Sequence, residues 1–506
     1  MKTQIVSVRI PAAQASGTFN ISLPTGFGVP KGFMVYAQDN FVQPNNFDST
    51  TDFPCMSVGF GGSNIAGSGL TNACVWVMND ENTSNPLVTR ASFANTVSIF
   101  TTNTLQTVRR QWQFTGFAQD TIIGTYQGVG TQQTPLDAVF TVFSGDDLFC
   151  AVGQQAVATS GTRTVVTTTF QPDAILFSHL RPATLTDGQI QLGAAVRAAS
   201  TGATVITSQV SATWRNVDDG AGNSSLQTRI SNTGSLNLAS TSTVLFQTMF
   251  GTGFAVTQSS ANTHSIIFLA MKAGFGNTLN PSFSASTFQS PTGTATTSST
   301  YGVGFKPRHV IGCFLHSTTL NGTNTTPATG CEAMSFFTAN GSINKNITGT
   351  GTITSNTANT SVSGTGTSFL SQLGASDTLY NSNFQLVGIV SSITSDTALI
   401  LQSNASTTVT NATYEFVKTQ QYSLSYGNVD GSGSGNAAMR GRVSTNGIVS
   451  FTATTPTLQA VGDIQNFSGE NGFTVTYTTL ANGGRYGWYL AIRDEEFYLR
   501  RRGRAV

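Results

Sequence analysis

Four histidines are the first residues to consider for chemistry, because imidazole binds metals and carries protons near neutral pH. They are His179, His264, His309 and His316. None lies in an HExxH motif or a Cys/His cluster, so the pattern supports neither a metal site nor a cofactor. His309 and His316 are seven residues apart on a predicted strand and loop, which directs their side chains to opposite faces. We therefore expect structural histidines.

Adjacent carboxylates are the next candidates. Asp146-Asp147 and Asp218-Asp219 could supply acids for glycoside hydrolysis or ligands for calcium. Glycosidases hold two carboxylates across a cleft, whereas these pairs lie in turn-like segments, where aspartate is a common turn residue. The sequence therefore predicts no catalytic residue, and we expect a protein that is not an enzyme.

Three arginines recur in similar surroundings. Arg90, Arg229 and Arg442 stand in the segments Leu-Val-Thr-Arg-Ala-Ser, Leu-Gln-Thr-Arg-Ile-Ser and Met-Arg-Gly-Arg-Val-Ser. An arginine repeated on a strand usually pairs with a local carboxylate or with carbonyl groups. We interpret the three as repeated structural positions, with sugar binding as the alternative.

The C-terminal segment 494–506 differs from the rest of the chain because it is densely charged. One interpretation is a solvated end. The interpretation that we favour is a docking arm, with three apolar anchors followed by arginines that seek an acidic surface on a partner. Its interaction candidates are Phe497, Tyr498, Leu499, Arg500, Arg501, Arg502 and Arg504.

The composition defines the scaffold that must carry these residues. Only 9% of the 506 residues are charged and the net charge is +1, yet 39% are hydrophobic and 34 are Phe. Such a chain can bury several cores, and its length suggests about three domains. Abundant Thr, Val, Phe and Ile favour β-strands, and Gly and Asn favour turns between them. We predict an all-β protein that does not bind nucleic acid, since no clustered basic surface is evident.

Export and membrane signals are not evident. No stretch of about 18 apolar residues predicts a membrane span, and the first ten residues alternate as a strand does. We expect no membrane insertion and synthesis in a cytoplasm without a signal peptide. Five cysteines (Cys55, Cys74, Cys150, Cys313 and Cys331) are too few and too irregular for a disulfide framework.

An internal repeat organises the chain. Pro30, Pro172 and Pro307 each precede an apolar run that reads as a buried strand. The interval from proline to the recurrent arginine is 60 residues in the first copy, 57 in the second and 135 in the third. The excess of about 75 residues in the third copy predicts an insertion. Its Gly, Thr, Ser and Asn-rich composition places it between residues 346 and 420.

A third recurring segment is predicted to close each unit. Leu148–Val152 is similar to Ile267–Met271 and to Trp488–Ile492. The expected architecture is three tandem antiparallel β-sandwiches, or jelly-roll-like domains, with a small β-barrel inserted in the third. The predicted boundaries are 1–155, 156–280, 281–345 with 421–493, 346–420 for the insert and 494–506 for the arm.

The insert resembles a small β-module of tailed-bacteriophage virion and tail proteins. The resemblance rests on the Gly349-Thr350-Gly351-Thr352 start, on Val362–Phe369, on Gly388–Leu401 with its Ser-Asp-Thr turn, and on a final aromatic strand. The family usually has Gly-Asp before its third strand, and Ser376-Asp377 stands there in this chain. The three large units are similar, less specifically, to repeated domains of phage structural proteins that open with Phe-x-Pro.

The resemblance implies a place on a virion, reached by assembly in the host cytoplasm. The expected function is that of a non-enzymatic structural protein, tail- or adsorption-associated, which presents β-domains to host surface glycans. Its expected partners are other virion proteins and further copies of itself. Alternatives are a capsid decoration or head-fibre protein, a tailspike-type glycan depolymerase, and a secreted bacterial adhesin, which the missing export signal disfavours.

Overall fold

The computed structural model describes most of the chain. It does not describe residues 12–13, 25, 40–47, 50–54, 80–87, 95–96, 103–107, 129–134, 181–186, 198–205, 219–223, 238–241, 260–263, 274–281, 294–296, 316, 328–333, 342–346, 374–376, 383–384, 402–403, 418, 430–437, 445, 453–456, 466–470, 482–483 and 494–506. Strands account for 72% of the structure and helix for 1%, so the all-β prediction is confirmed. No helix among these residues is long and apolar enough to cross a membrane.

The first twelve strands come from the N-terminal part of the chain. They are β1 (Lys2–Ile10), β2 (Gly17–Thr18), β3 (Ile21–Ser22), β4 (Pro30–Asp39), β5 (Asp48–Ser49), β6 (Cys55–Ser63), β7 (Leu70–Asn79), β8 (Val88–Ala94), β9 (Ile99–Thr102), β10 (Val108–Ala118), β11 (Thr121–Gly128) and β12 (Leu136–Ser144). The next ten are β13 (Leu148–Val157), β14 (Thr164–Thr167), β15 (Ala174–Leu180), β16 (Asp187–Arg197), β17 (Ile206–Asp218), β18 (Ser224–Ser231), β19 (Ser235–Asn237), β20 (Ser242–Phe250), β21 (Gly253–Gln258) and β22 (His264–Ala273).

The remaining elements form the third unit and the insert. Before and within the insert lie β23 (Phe283–Gln289), β24 (Thr297–Gly302), β25 (Pro307–Phe314), β26 (Asn324–Pro327), β27 (Met334–Gly341), β28 (Ile347–Thr348), β29 (Thr352–Ser355), β30 (Ser361–Thr365), helix α1 (Phe369–Gln372), β31 (Thr378–Asn381), β32 (Leu386–Ser395), β33 (Ala398–Leu401), β34 (Val409–Ala412) and β35 (Tyr414–Val417). After it come β36 (Thr419–Val429), β37 (Ala438–Ser444), β38 (Ile448–Thr452), β39 (Thr457–Gln465), β40 (Gly472–Leu480) and β41 (Tyr486–Arg493).

These strands build three units with the same topology. Each unit has an inner sheet of six strands, in the orders β1-β12-β4-β6-β7-β8, β13-β22-β15-β16-β17-β18 and β23-β41-β25-β27-β36-β37. Each also has an outer sheet, in the orders β2-β11-β10-β9, β14-β21-β20-β19 and β24-β40-β39-β38, with β3 adding to β11 in unit 1. The described ladders are all antiparallel, so each unit is a two-layered antiparallel sandwich.

Both faces of each inner sheet are buried, which the sequence analysis did not anticipate. One face packs on the outer sheet of its own unit and forms a sandwich core; Phe177 and Phe268 lie in that of unit 2. The other face joins a central core shared by all three units. In β25 every residue is buried: Val310 lies in the sandwich core and Cys313 in the central one, since alternate residues face opposite sides.

The units close into a ring. Strands β6 and β7 of unit 1 pack against β13 of unit 2, β16 and β17 of unit 2 pack against β23 of unit 3, and β27 and β36 of unit 3 pack against β1 of unit 1. We call these three contacts between units the seams. Equivalent strands of the units form each seam. A head-to-tail contact that returns to its start makes a closed assembly, so the single chain has the arrangement of a trimer with pseudo-threefold symmetry.

Two short strands cross between units and extend inner sheets. Strand β5, which follows β4 of unit 1 in the chain, pairs with edge strand β37 of unit 3. Strand β26, which follows β25 of unit 3, pairs with edge strand β18 of unit 2. Backbone ladders therefore tie neighbouring units together in addition to side-chain packing.

The ladders revise one predicted landmark. Pro30, Pro172 and Pro307 occupy equivalent places, because the residues four positions later (Met34, Leu176 and Ile311) pair with equivalent strands. Leu148–Val152, however, does not close unit 1. It lies in β13, which pairs with β22 and opens unit 2, so the predicted boundary at 155/156 falls inside a strand.

The insert is one rolled sheet and the predicted barrel is not closed. Its order is β28-β35-β31-β32-β33-β30-β29-β34, with a core that includes Phe369, Tyr414 and Phe416. Strands β34 and β35 are consecutive and separated only by Thr413. The chain therefore connects β34, at one end of the strand order, directly to β35, next to the other end. No described ladder pairs the two ends, so the sheet is not a closed barrel.

Candidate functional site

The structure describes only some of the predicted site residues. The side chains of His179, His264 and Arg90, all of His316, and the arm residues Phe497–Arg504 lie outside what it describes. His309 is fully buried on β25. Within the described part of the chain, no group of three or more potential ligands could hold a metal ion.

Two of the three recurrent arginines occupy the same position. Arg229 pairs in register with Thr213, and Arg442 with Ser425. Burial lowers the pKa of both guanidinium groups. Arg90 pairs with Val77, whose equivalents are Trp214 and Tyr426, so it is displaced by one residue along its strand.

His309 belongs to a polar network at the seam between units 3 and 1. Its Nε2 lies 2.7 Å from the hydroxyl of Thr338, and that hydroxyl lies 2.9 Å from the hydroxyl of Thr141 in unit 1. Asn340, opposite His309 in the ladder, donates a hydrogen bond of 3.0 Å to the carbonyl oxygen of Thr3. We call these five residues the polar seam.

Burial shifts the pKa of two titratable groups on the strands that carry the polar seam. Burial and the neighbouring Arg308 guanidinium lower the pKa of His309 to about 3, so the ring is neutral at pH 7. Arg308 donates a hydrogen bond of 3.4 Å to the carbonyl oxygen of Met1. On unit 1, burial raises the pKa of Asp137 to about 6 against the opposing effect of Arg9. The Arg9 Nε lies 3.4 Å from the Asp137 carboxylate.

The His309–Thr338 pair has the separation of a base and a nucleophile, but its surroundings assign it another role. Both side chains are 0% exposed, so a substrate cannot reach them in this conformation. Nδ1 of His309 has no hydrogen-bond partner among the described residues, and therefore nothing orients the ring as the third member of a triad would. The network can join two units through hydrogen bonds.

The equivalent positions at the other seams are mainly apolar. Counting from the prolines and through the ladders, His309, Thr338 and Asn340 correspond to Ala174, Ala194 and Val196 in unit 2. The partners across the seam change in the same way. Thr3 and Thr141 of unit 1 correspond to Phe283 and Leu490 of unit 3, and to Cys150 and Leu269 of unit 2.

Sequence reasoning missed a second repeated feature, which joins the two sheets of each unit. The side-chain amide oxygens of Asn72, Gln209 and Gln421 accept hydrogen bonds of 2.9, 3.1 and 2.9 Å from the backbone N–H groups of Phe114, Phe246 and Ile464. In units 1 and 2 a register shift follows directly after that residue. Each amide lies on the fifth strand of its inner sheet (β7, β17 and β36). A polar residue in these apolar strands could have signalled the feature, but only an alignment of the repeats shows that the position recurs.

The outer sheets carry uncharged polar pairs on their exposed faces. Unit 3 has Ser298 with Thr476 at 2.9 Å and Thr300 with Thr474 at 3.0 Å between hydroxyl oxygens. Unit 2 has Gln247 donating to Thr257 at 3.0 Å, and unit 1 has a hydrogen bond between Gln111 and Gln127. Hydroxyl and amide groups are the partners that sugars hydrogen-bond.

Unit 1 also buries an ion cluster inside its sandwich. The Asp39 carboxylate lies 3.4 Å from Nη1 of Arg110 and 3.7 Å from Nε of Arg109. Burial lowers the pKa of Arg110, while Asp39 opposes that change. The equivalent strand positions on β20 and β39 hold no arginine, so the cluster is particular to unit 1 and explains no shared function.

Comparisons with known proteins do not identify the chain: no family model, curated protein or solved structure matches it.

Proposed function

We propose that the protein is a non-enzymatic structural component of a bacteriophage virion surface, tail- or adsorption-associated, which contacts host glycans through its outer sheets. The observation that carries the proposal is the closed ring of three equivalent sandwiches in one chain. The ring directs three outer sheets away from a common core. Repetition of a weak contact in three places raises avidity without any new contact.

The chemistry of the outer sheets supports a glycan as the ligand. Their exposed faces carry Ser, Thr and Gln pairs without formal charge. Neutral hydroxyl and amide groups suit neutral or weakly charged saccharides better than nucleic acid, which requires clustered cations. The module-like insert in unit 3 supports the assignment to a phage particle by resemblance.

The first test locates the protein. Immunogold labelling or cryo-EM of particles from an infected host should place it on the tail or its adsorption apparatus. A position on the capsid would favour a decoration or head-fibre protein. Absence from particles would contradict the proposal.

The second test separates binding from hydrolysis. Purified protein should retain host surface polysaccharide on a glycan-binding assay and release no oligosaccharide on incubation. Gln247→Ala with Thr257→Ala, on the exposed outer sheet of unit 2, should weaken binding relative to Lys2→Ala, a distant exposed change. Released oligosaccharide would support a depolymerase instead.

A further inference from the structure

Strand β24 is an edge strand of the unit 3 outer sheet with an unusual composition. Its described ladder is with β40 on one side, from Thr297 opposite Tyr477 to Gly302 opposite Gly472. No described strand pairs with its other side. Its sequence, Thr-Ser-Ser-Thr-Tyr-Gly, contains no charge and no proline.

The equivalent edges in the other two units are less suited to pairing. In unit 1 the edge is broken into the two-residue strands β2 and β3. In unit 2 it is the four-residue strand β14, directly preceded by Arg163. Charges, breaks and short length are the features that protect natural edge strands from pairing with other chains. Strand β24, with six residues, has none of them.

The edge is also held in place by its own side chains. The hydroxyl groups of Ser298 and Thr300 pair with Thr476 and Thr474 on the exposed face. On the opposite face the Tyr301 hydroxyl donates a hydrogen bond of 3.0 Å to the carbonyl oxygen of Gln289. A strand that is already ordered loses little conformational entropy when it pairs.

We propose that β24 is a self-association edge, which pairs antiparallel with β24 of a second copy of this chain about a twofold axis at Ser299. In that register Ser298 lies opposite Thr300 of the second copy. The hydroxyl row would then continue from Thr476 through Ser298 to the Thr300–Thr474 pair of the second copy. Cross-strand Ser/Thr pairs of this kind stabilise antiparallel sheets, and two outer sheets become one.

Two properties of the chain favour a second copy as the occupant. The net charge is +1, so two copies repel each other little. The chain also joins its own units by adding strands to edges, β5 to β37 and β26 to β18. A six-residue edge buries less than the roughly 1,000 Å² of a stable interface. The association is therefore weak in dilute solution and strengthened where copies are concentrated, as in a repeated assembly.

The test is sedimentation of the purified full chain over increasing concentration. The wild-type protein should shift from monomer towards dimer, and amide exchange across residues 297–302 should slow as it does. Ser298→Lys with Thr300→Lys places like charges opposite each other at the axis, so association should weaken about tenfold. Both side chains are exposed, and an unchanged melting temperature would show that the fold is intact.

Two controls complete the design. Gln247→Lys with Thr257→Lys adds the same charge to the interior strands of the unit 2 outer sheet and should leave association unchanged. Ser298→Glu with Thr300→Glu should dissociate like the lysine variant, while an equimolar mixture of the two should associate again. A wild-type protein that stays monomeric at its solubility limit, or a lysine variant that associates normally, would overturn the proposal. This assay requires no virus particle, so its outcome is independent of the proposed function.

Discussion

The seam between units 2 and 3 and the seam between units 3 and 1 are formed by equivalent strands, but different side chains meet there. At the first, the rings of Trp214 and Tyr426 meet edge to face with centroids 5.4 Å apart, and Phe283 lies in the same core. At the second, the Thr338 hydroxyl meets that of Thr141 and Asn340 reaches the Thr3 carbonyl. A stacked aromatic pair, Tyr36 and Phe336, lies beside them with centroids 4.9 Å apart. Strand topology thus determines where units meet, while individual substitutions determine what holds them.

Chain connectivity gives a physical context for this difference. Short links join unit 1 to unit 2 and unit 2 to unit 3, whereas units 3 and 1 meet without a direct link. A buried polar network adds little net stability, but it penalises wrong partners because their polar groups would stay unpaired. We infer that the polar seam selects correct ring closure more than it strengthens the ring.

Breaking the contact between Trp214 and Tyr426 should have the largest effect. Trp214 is fully buried, and Trp214→Ala should cost about 3–5 kcal/mol of the free energy of unfolding, independently of pH. Urea denaturation measures the change, with Trp214→Phe as a control that keeps a ring against Tyr426. A cost below about 1 kcal/mol would show that the seam contributes little.

Acid should weaken the polar seam through His309. The unfolded chain protonates this histidine near its ordinary pKa of 6.5, but the folded protein does so only near pH 3. Stability is therefore lost as the pH falls through that window. Between about pH 6.5 and about pH 4 the loss should reach roughly 3 kcal/mol, at about 1.4 kcal/mol per pH unit.

His309→Gln is the variant that tests this assignment, because glutamine can still hydrogen-bond Thr338 but does not titrate. Its urea midpoint should change less between neutral and acid pH than that of the wild type. An acid dependence equal to that of the wild type would place the effect on other groups.

Asp137 should act in the opposite direction. Its carboxyl has a pKa of about 6 in the folded protein, above the ordinary value, so its contribution is present at low pH and lost as the pH rises through 6. Asp137→Asn should therefore make the loss of stability on acidification steeper by roughly 2 kcal/mol. Denaturation curves of this variant and of His309→Gln at several pH values distinguish the opposite pH dependences of the two residues. A shallower acid dependence would contradict the assignment.

Converting the polar seam into the apolar one should have the smallest effect on stability. The graft takes each residue from the unit 2–unit 3 seam: His309→Ala, Thr338→Ala, Asn340→Val, Thr3→Phe and Thr141→Leu. Replacing a buried polar network by packed apolar groups is often neutral or stabilising, so the free energy of unfolding should stay within about 2 kcal/mol. Calorimetry measures it, and light scattering should reveal misassembled oligomers if the polar groups select closure.

Much of the architecture was predictable from local patterns. Low charge with many Thr, Val and Phe residues predicted an all-β chain because these side chains suit half-buried strands. The recurrent prolines predicted equivalent strand starts, since Pro is tolerated where no ladder donor is needed. The residues four positions after Pro30, Pro172 and Pro307 pair with equivalent strands. Functional residues were harder to predict, because the sequence around a single histidine does not distinguish a functional site from a buried structural position.

Other features were decided by pairing between distant segments. Leu148–Val152 has the same apolar alternation as a closing strand, and only its ladder with β22 shows that it opens unit 2. The displacement of Arg90 by one residue is likewise invisible until Val77 is seen opposite it.

The sequence by itself determined the strand content and the threefold repetition, because both depend on neighbouring residues and on spacing along the chain. The tertiary structure alone decided that the repeats close into a ring, that both faces of the inner sheets are buried, and that His309 is linked to unit 1 through Thr338 and Thr141. The reason is physical: a strand's pattern records how much of it is buried, but not which of several similar apolar faces will cover it.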